Sequence, residues 1–359
     1  MDDKSIREIR INPIIPAESV LIATARGMRP KKAEQAAPRD TREHVETCPF
    51  CKGNEKMTPP ALQAFPSPAD WEIRIVENLY PILGDDKQNQ HLNIGLQQTI
   101  DGYGRHEVII DHPKHGMAIH EMGPAHLALL LSAYQMRMRQ LYESNARLHY
   151  VLIFKNFGPA AGASIAHTHS QIIAMPVTPQ NVQDEVRYSK QFYDKNHRCI
   201  FCSLIDEALT FETTIYDRES GEIRRKISVG QYVIERGKHF IAIKPFASRY
   251  EWEIHILPLA HQADFIDMDD EKRADCARVI QRTMARLDAL LGGVQYNFFL
   301  HSLPHDPSFA DHNHSYHWHL EICPRTSIPT GFELGSGLFV NTVSPEEAAE
   351  RLRGVVLSE

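Results

Sequence analysis

The 359-residue sequence predicts an α+β fold, made of two tandem copies of one unit around a mostly antiparallel sheet. Three observations carry this reading. A Cys-x-x-Cys pair occurs twice, at Cys48/Cys51 and at Cys199/Cys202. Each pair is followed, in the same order, by a β-rich stretch, a long helical segment, an apolar strand and a His-x-His. The spacings also agree: 64 positions separate Cys51 from His115, and 59 separate Cys202 from His261. One shared element is chance; four in one order read as a duplication.

In the first copy, Glu107-Val-Ile-Ile110 reads as a strand and leads into Asp-His-Pro-Lys-His115. A helix follows over 124–142, with Leu127, Leu130, Leu131, Tyr134, Met138 and Leu141 on one face. Pro124 suits its first turn, where a missing N–H costs nothing. Tyr150-Val-Leu-Ile-Phe154 is a second strand, and His167-Thr-His169 closes the copy. In the second copy the strands are Glu253-Ile-His-Ile-Leu257 and Gln295-Tyr-Asn-Phe-Phe-Leu300. The helix between them spans 269–291, opened by acidic residues and closed by Gly292-Gly293. His317-Trp-His319 ends this copy. The units are expected at 1–185 and 186–359, the polar stretches 28–46 and 177–195 reading as connecting segments. A charged hairpin over 214–226 has no counterpart in the first copy.

Composition narrows the function. With 42% hydrophobic and 24% charged residues the chain has a globular make-up. A net charge of -7 and no basic stripe argue against a nucleic-acid partner. No apolar run reaches the ~18 residues that span a bilayer, and residues 1–10 lack an apolar signal core, so cytoplasmic residence without a membrane partner is the expectation. Any anionic ligand must be held by local donors.

Six cysteines and twenty histidines point to metal. The first candidate site is Cys48, Cys51, His115 and His167, with His112 competing for the third position. The second is Cys199, Cys202, His261 and His317. Four protein ligands make a closed, structural zinc site. The alternatives are buried free thiols or a redox pair. A redox pair belongs at a helix N-terminus after a strand, a setting neither pair is expected to have.

The chemistry concentrates in Lys155-Asn-Phe-Gly158-Pro-Ala-Ala-Gly162-Ala-Ser164-Ile-Ala-His167-Thr-His169-Ser-Gln171, which leaves a strand, turns through a small-residue loop and returns on another strand. Small residues let backbone N–H groups approach a phosphate. On an extended segment His167, His169 and Gln171 share a face. His167 can bind metal while His169 offers a neutral nitrogen as nucleophile, and Gln171 and Ser164 can donate to phosphoryl oxygens. The second His-x-His ends at Glu321, whose carboxylate would repel a phosphate. His319 is therefore expected to be structural and the second half a degenerate copy. His301, His305, His312 and His314 read as residues of a polar loop.

This segment resembles the Gly-x-Ser-x-x-His-x-His-x-Gln pattern of the galactose-1-phosphate uridylyltransferase family, a branch of the histidine-triad superfamily. The resemblance runs from Arg26-Gly-Met-Arg29 to Gly331-Phe-Glu-Leu-Gly335. It implies two histidine-triad-like halves, zinc, a covalent His169 nucleotide intermediate and a homodimer. It nominates Arg26, Arg29, Asn78, Asn156 and Gly162 for substrate binding. The implied reaction moves UMP from UDP-glucose to a hexose 1-phosphate such as galactose 1-phosphate by a ping-pong route. The stretch 331–337 and the second Cys₂His₂ set look more like the ADP-glucose phosphorylase branch, which implies the alternative of AMP transfer to orthophosphate. Further alternatives are a dinucleotide hydrolase and a zinc-stabilised nucleotide-binding module without turnover.

Overall fold

The computed structural model describes residues 6–28, 39–88 and 90–357. The chain opens with β1 (Arg7–Ile11), β2 (Ser19–Ala23), β3 (Ala61–Pro66), β4 (Trp71–Glu77), the hairpin β5 (His91–Ile94) and β6 (Gln97–Ile100), and β7 (Arg105–Ile110). Helix α1 (Pro124–Ser144), β8 (Tyr150–Phe157) and β9 (His169–Met175) complete the first copy. Helices α2 (Gln180–Asn196) and α3 (Ile200–Thr210) lead to a second hairpin, β10 (Glu212–Tyr216) and β11 (Ile223–Ser228). The second copy is β12 (Val233–Arg236), β13 (Phe240–Ile243), β14 (Ile254–Pro258), α4 (Asp270–Leu291), β15 (Tyr296–His301) and β16 (His319–Pro324). The segment α5 (Gly331–Ser336), β17 (Phe339–Asn341) and α6 (Pro345–Arg353) ends the chain.

Ten strands form one sheet in the order β12-β13-β14-β16-β15-β8-β9-β7-β4-β3, every pair antiparallel. The order mirrors itself about the β15–β8 seam, where Phe299 pairs with Phe154 and Asn297 with Asn156. The duplicated halves thus share one sheet, with β15 equivalent to β8, β16 to β9 and β14 to β7.

Period-2 alternation decides the two faces. Ile73, Ile75, Ile109, Ile153 and Ile172 from the first half, and Ile254, Ile256, Phe298, Leu300 and Leu320 from the second, point to one side. There α1 and α4 pack against the sheet and against each other. Asp269 caps α4, its side chain accepting from the Lys272 N–H, and Gly292 ends the helix at φ 70°, a left-handed position glycine takes without cost. The other side carries His106, His169, Gln171, His255, His301, His319 and Glu321.

The expected connecting segment 177–195 is instead largely helix α2. Its apolar stripe is short, with Val182 and Val186 the buried aliphatics, so composition alone hid it. Glu185 is buried on the same helix, and the expected 185/186 boundary falls inside it. The hairpin at 214–226 is β10–β11. His301 stands in strand β15, not in a loop, because it continues the alternation of Asn297 and Phe299.

Candidate active site and metal centres

The loop 158–168 joins β8 to β9 and turns where glycine is required. Gly158 has φ 87°, and a Cβ there would lie 2.5 Å from the Gln295 side chain, whose Oε1 accepts from the Ala160 N–H at 2.6 Å. Gly162 has φ 85° and faces open space. Ser164 is exposed on this loop.

His169 opens β9 and is 7% exposed. Its Nδ1 lies 2.8 Å from the His167 carbonyl. A carbonyl only accepts, so Nδ1 carries the proton and Nε2 keeps its lone pair. Burial pushes the imidazole below its ordinary value, which keeps it neutral at neutral pH. Beneath it, Lys155 Nζ donates to Asp111 Oδ2 at 2.6 Å, to Thr168 Oγ1 at 2.7 Å and to the His169 carbonyl at 3.0 Å. Ser170 Oγ donates to the same Asp111 oxygen at 3.0 Å. The start of β9 is thus clamped from the helix side while His169 faces the other way.

Gln171 is two residues on, paired with Phe154 on one side and Val108 on the other. Extending that register brings Asn156 opposite His169. Asn156 Oδ1 accepts from Asn297 Nδ2 at 2.8 Å, which leaves its own amide N–H groups for a ligand. Asn78 follows β4 and lies beside His106, which in turn contacts Gln171. His169, Gln171, Asn156 and Asn78 are therefore on one stretch of sheet. Arg26 is placed elsewhere, lining a pocket of about 280 Å³ with Arg249, Tyr250, Glu333 and Thr342. Arg29 lies outside the described residues.

Both Cys₂His₂ sets assemble, with ligand atoms in each within 4.8 Å of one another. In the first, Cys51 Sγ lies 3.5 Å from His115 Nδ1 and from His167 Nδ1. In the second, Cys202 Sγ lies 3.4 Å from His261 Nδ1 and 3.6 Å from His317 Nδ1. Metal–sulfur bonds of ~2.3 Å and metal–nitrogen bonds of ~2.1 Å give a tetrahedral S···N edge of about 3.6 Å, which these distances match. Each imidazole's second nitrogen has an acceptor: Asp40 for His115, and the carbonyls of His112, Asn313 and Pro258 for His167, His261 and His317. Such partners fix the tautomer that turns Nδ1 to an ion. His112 contributes its carbonyl to this set, and its ring lies against His126. One expectation changes: Cys199 is the N-cap of α3, so the second pair does sit at a helix N-terminus. The helix follows α2, not a strand, and the two histidines beside Cys202 set this pair apart from a redox motif.

The matches to known proteins fit this geometry. The ADP-glucose phosphorylase of Arabidopsis thaliana is 30% identical over 98% of this chain and 93% of its own length. The crystal structure of an Arabidopsis ADP-glucose phosphorylase with bound ADP-glucose superposes with a TM-score of 0.82, at 29% identity, over 98% of this chain and 100% of that one. The galactose-1-phosphate uridylyltransferase of Thermotoga maritima is 26% identical over 96% of this chain and 98% of its own. The family model described as galactose-1-phosphate uridyl transferase, N-terminal domain, matches residues 1–179.

The chain belongs to the galactose-1-phosphate uridylyltransferase family.

It is accordingly a nucleotidyltransferase, and its two halves can be compared as copies of that family's unit. At the position of Gln171 the second half has Glu321, at Asn156 it has His301, at Val108 His255 and at His106 Glu253, read from the mirrored registers. These side chains pair among themselves and with Glu185 and Arg249. His301 Nδ1 lies 2.9 Å from Glu185, Arg249 Nη2 donates to Glu321 at 3.2 Å, and His255 Nε2 lies 3.0 Å from Glu253. Burial opposes charge on His301, but the ionised Glu185 beside it outweighs this and holds its pKa up to about 9. His319 repeats the His169 bond, with Nδ1 3.1 Å from the His317 carbonyl, yet its Nε2 faces Glu321 at 3.4 Å and Glu185 at 3.9 Å. Carboxylates thus occupy the direction from which a phosphate would approach His319.

Sequence reasoning missed His106, Lys155, Asp111 and Glu185. Alternation with Val108 and Ile110 was enough to place His106 on the site face. Nothing local marked Lys155, since a lysine ending an apolar strand ordinarily reaches solvent.

Proposed function

We propose that the chain takes a nucleoside monophosphate from a nucleotide sugar, holds it on His169 and passes it to a phosphorylated acceptor. The observation that carries this is the fixed tautomer of His169: Nδ1 is bound to the His167 carbonyl and a neutral Nε2 is left at the end of a glycine-bearing loop. In the first step Nε2 attacks the α-phosphorus, the bond to the bridging oxygen breaks and the sugar 1-phosphate leaves. In the second, an acceptor phosphate oxygen attacks the same phosphorus and the N–P bond breaks. Gln171 and the Asn156 amide supply donors to the nonbridging oxygens, and backbone N–H groups of the loop add theirs.

ADP-glucose as donor and orthophosphate as acceptor are supported by the likeness to the Arabidopsis phosphorylase along the full chain and by the intact second Cys₂His₂ set. The uridylyl version, with a hexose 1-phosphate acceptor, is supported by the Thermotoga relative and by the family model. Intact mass after mixing with each nucleotide sugar, and no acceptor, tests the reading. A gain of one AMP from ADP-glucose is expected. A gain of one UMP from UDP-glucose alone would replace the base assignment, and no adduct from metal-replete protein would overturn the covalent route.

Two zinc ions per chain fit the donor chemistry, two thiolates and two imidazoles closing each site. With all four positions taken by protein, they would serve to fix the His-x-His strands. Replacing Cys48 or Cys199 with serine is expected to remove one equivalent of metal each by elemental analysis, with chelation lowering the melting temperature. Retention of both equivalents would overturn the assignment. The exposed apolar side chains Leu79, Tyr80 and Ile82, which follow Asn78 in the chain, and Leu92, Ile94 and Leu96 of the β5–β6 turn region support the homodimer. No helix among the described residues is long and apolar enough to cross a membrane.

A further inference from the structure

We infer that His106 is a positioning residue, which sets the orientation of the Gln171 amide so that its NH₂ group, not its carbonyl, faces the phosphoryl group. This rests on the proposed reaction at His169.

His106 lies in β7 and is 8% exposed, so its contacts are almost wholly within the protein. The Ile82 backbone N–H points at its Nδ1 at 3.3 Å. A backbone N–H can only donate and cannot turn, so Nδ1 must be the unprotonated nitrogen and Nε2 carries the proton. Nε2 lies 2.9 Å from Gln171 Oε1, an acceptor, and donates to it. That bond fixes which end of the amide is which. The carbonyl is turned to His106, and Gln171 Nε2 has no partner among the described residues, leaving both its N–H groups for a ligand.

The third contact is Asn78 Nδ2, 3.1 Å from His106 Nε2. With the proton on Nε2 this is an approach of two donors. The Asn78 amide cannot simply flip, because its Oδ1 accepts from the Tyr80 N–H at 2.9 Å. The opposite tautomer is worse. It would set Nδ1–H against the Ile82 N–H, and one Nε2 lone pair would face both Asn78 Nδ2 and Gln171. Burial also lowers the imidazole pKa, so the ring stays neutral and keeps a distinct donor and acceptor end.

The second half shows what the loss of this arrangement entails. The equivalents of His106 and Gln171 are Glu253 and Glu321, two acceptors bridged by His255, with Arg249 also on Glu321. Neither carboxylate offers the amide N–H that Gln171 does.

The test compares His106→Leu, His106→Gln, Gln171→Ala and the double variant His106→Leu/Gln171→Ala. Its readouts are the rate of covalent adduct formation from ADP-glucose and UDP-glucose, kcat and KM, and metal content. Leucine removes the donor, and the rate should fall about 10²-fold, the scale for one transition-state donor, mostly in kcat. Glutamine keeps an N–H near the imidazole Nε2 position and should restore the rate to within a few-fold of wild type. The double variant should be no slower than Gln171→Ala, because the two residues act as one unit. Equal losses for leucine and glutamine at full metal content, or additive losses in the double variant, would overturn the inference. Absence of any adduct in the wild type would instead remove the reaction on which it rests.

Discussion

The His169→Ala variant should form no covalent adduct and lose turnover by at least about 10³-fold, while keeping its fold and metal. The magnitude follows from covalent catalysis, where removing the nucleophile leaves only binding and electrostatic stabilisation behind. The fold should survive because His169 makes one side-chain hydrogen bond, to the His167 carbonyl, and an edge contact with the Phe50 ring 5.2 Å away. The proposed metal ligand is His167, whose own bond to the His112 carbonyl is untouched. Mass spectrometry of the adduct, steady-state rates and metal analysis on one preparation check all three parts. Wild-type turnover in this variant would remove the mechanism, and a lost metal equivalent would show that His169 supports the metal centre.

The second large effect is on stability. Lys155 and Asp111 are both 1% exposed and form a buried ion pair. Burial depresses the lysine pKa, and Asp111 works against that by favouring the charged ammonium. Lys155→Met would leave the Asp111 carboxylate buried without its cation and should cost about 3–5 kcal/mol. Lys155→Met with Asp111→Leu should recover much of it, because the uncompensated charge is gone. Denaturant unfolding of the three proteins measures this, and a loss below about 1 kcal/mol for the single variant would refute it. Activity should fall further than stability alone requires, since the same ammonium holds the His169 carbonyl at 3.0 Å.

The sequence made the architecture readable because the duplication was written in chemistry with rigid spacing. The Cys-x-x-Cys and His-x-His pairs, with a helical face between them, located both halves and both metal sets. What stayed hidden depended on contacts distant in sequence. Helix α2 has few aliphatic residues, Val182 and Val186, and its burial follows from Glu185 meeting His301 and Tyr316. His301 reads as a loop residue because the strand ends there and polar residues follow. His106 needed a backbone N–H from residue 82 to have its tautomer decided. Arg26 illustrates the opposite case: a resemblance assigned it to the phosphates, whereas within one chain it sits with Glu333 and Thr342.

The seam between β8 and β15 has a consequence for how such a chain arose. A lone unit would leave β8 as a bare edge, with a row of unmet N–H and C=O groups. Its natural cover is β8 of a second copy, since the mirrored order means that β15 is what β8 became. With both copies in one chain that pairing is intramolecular and independent of protein concentration. The seam then had to be kept, because Asn297 steadies Asn156 across it, but the chemistry in the second copy did not. One copy could exchange its neutral hydrogen-bonding face for glutamates and histidines without loosening the sheet that holds the other in working order.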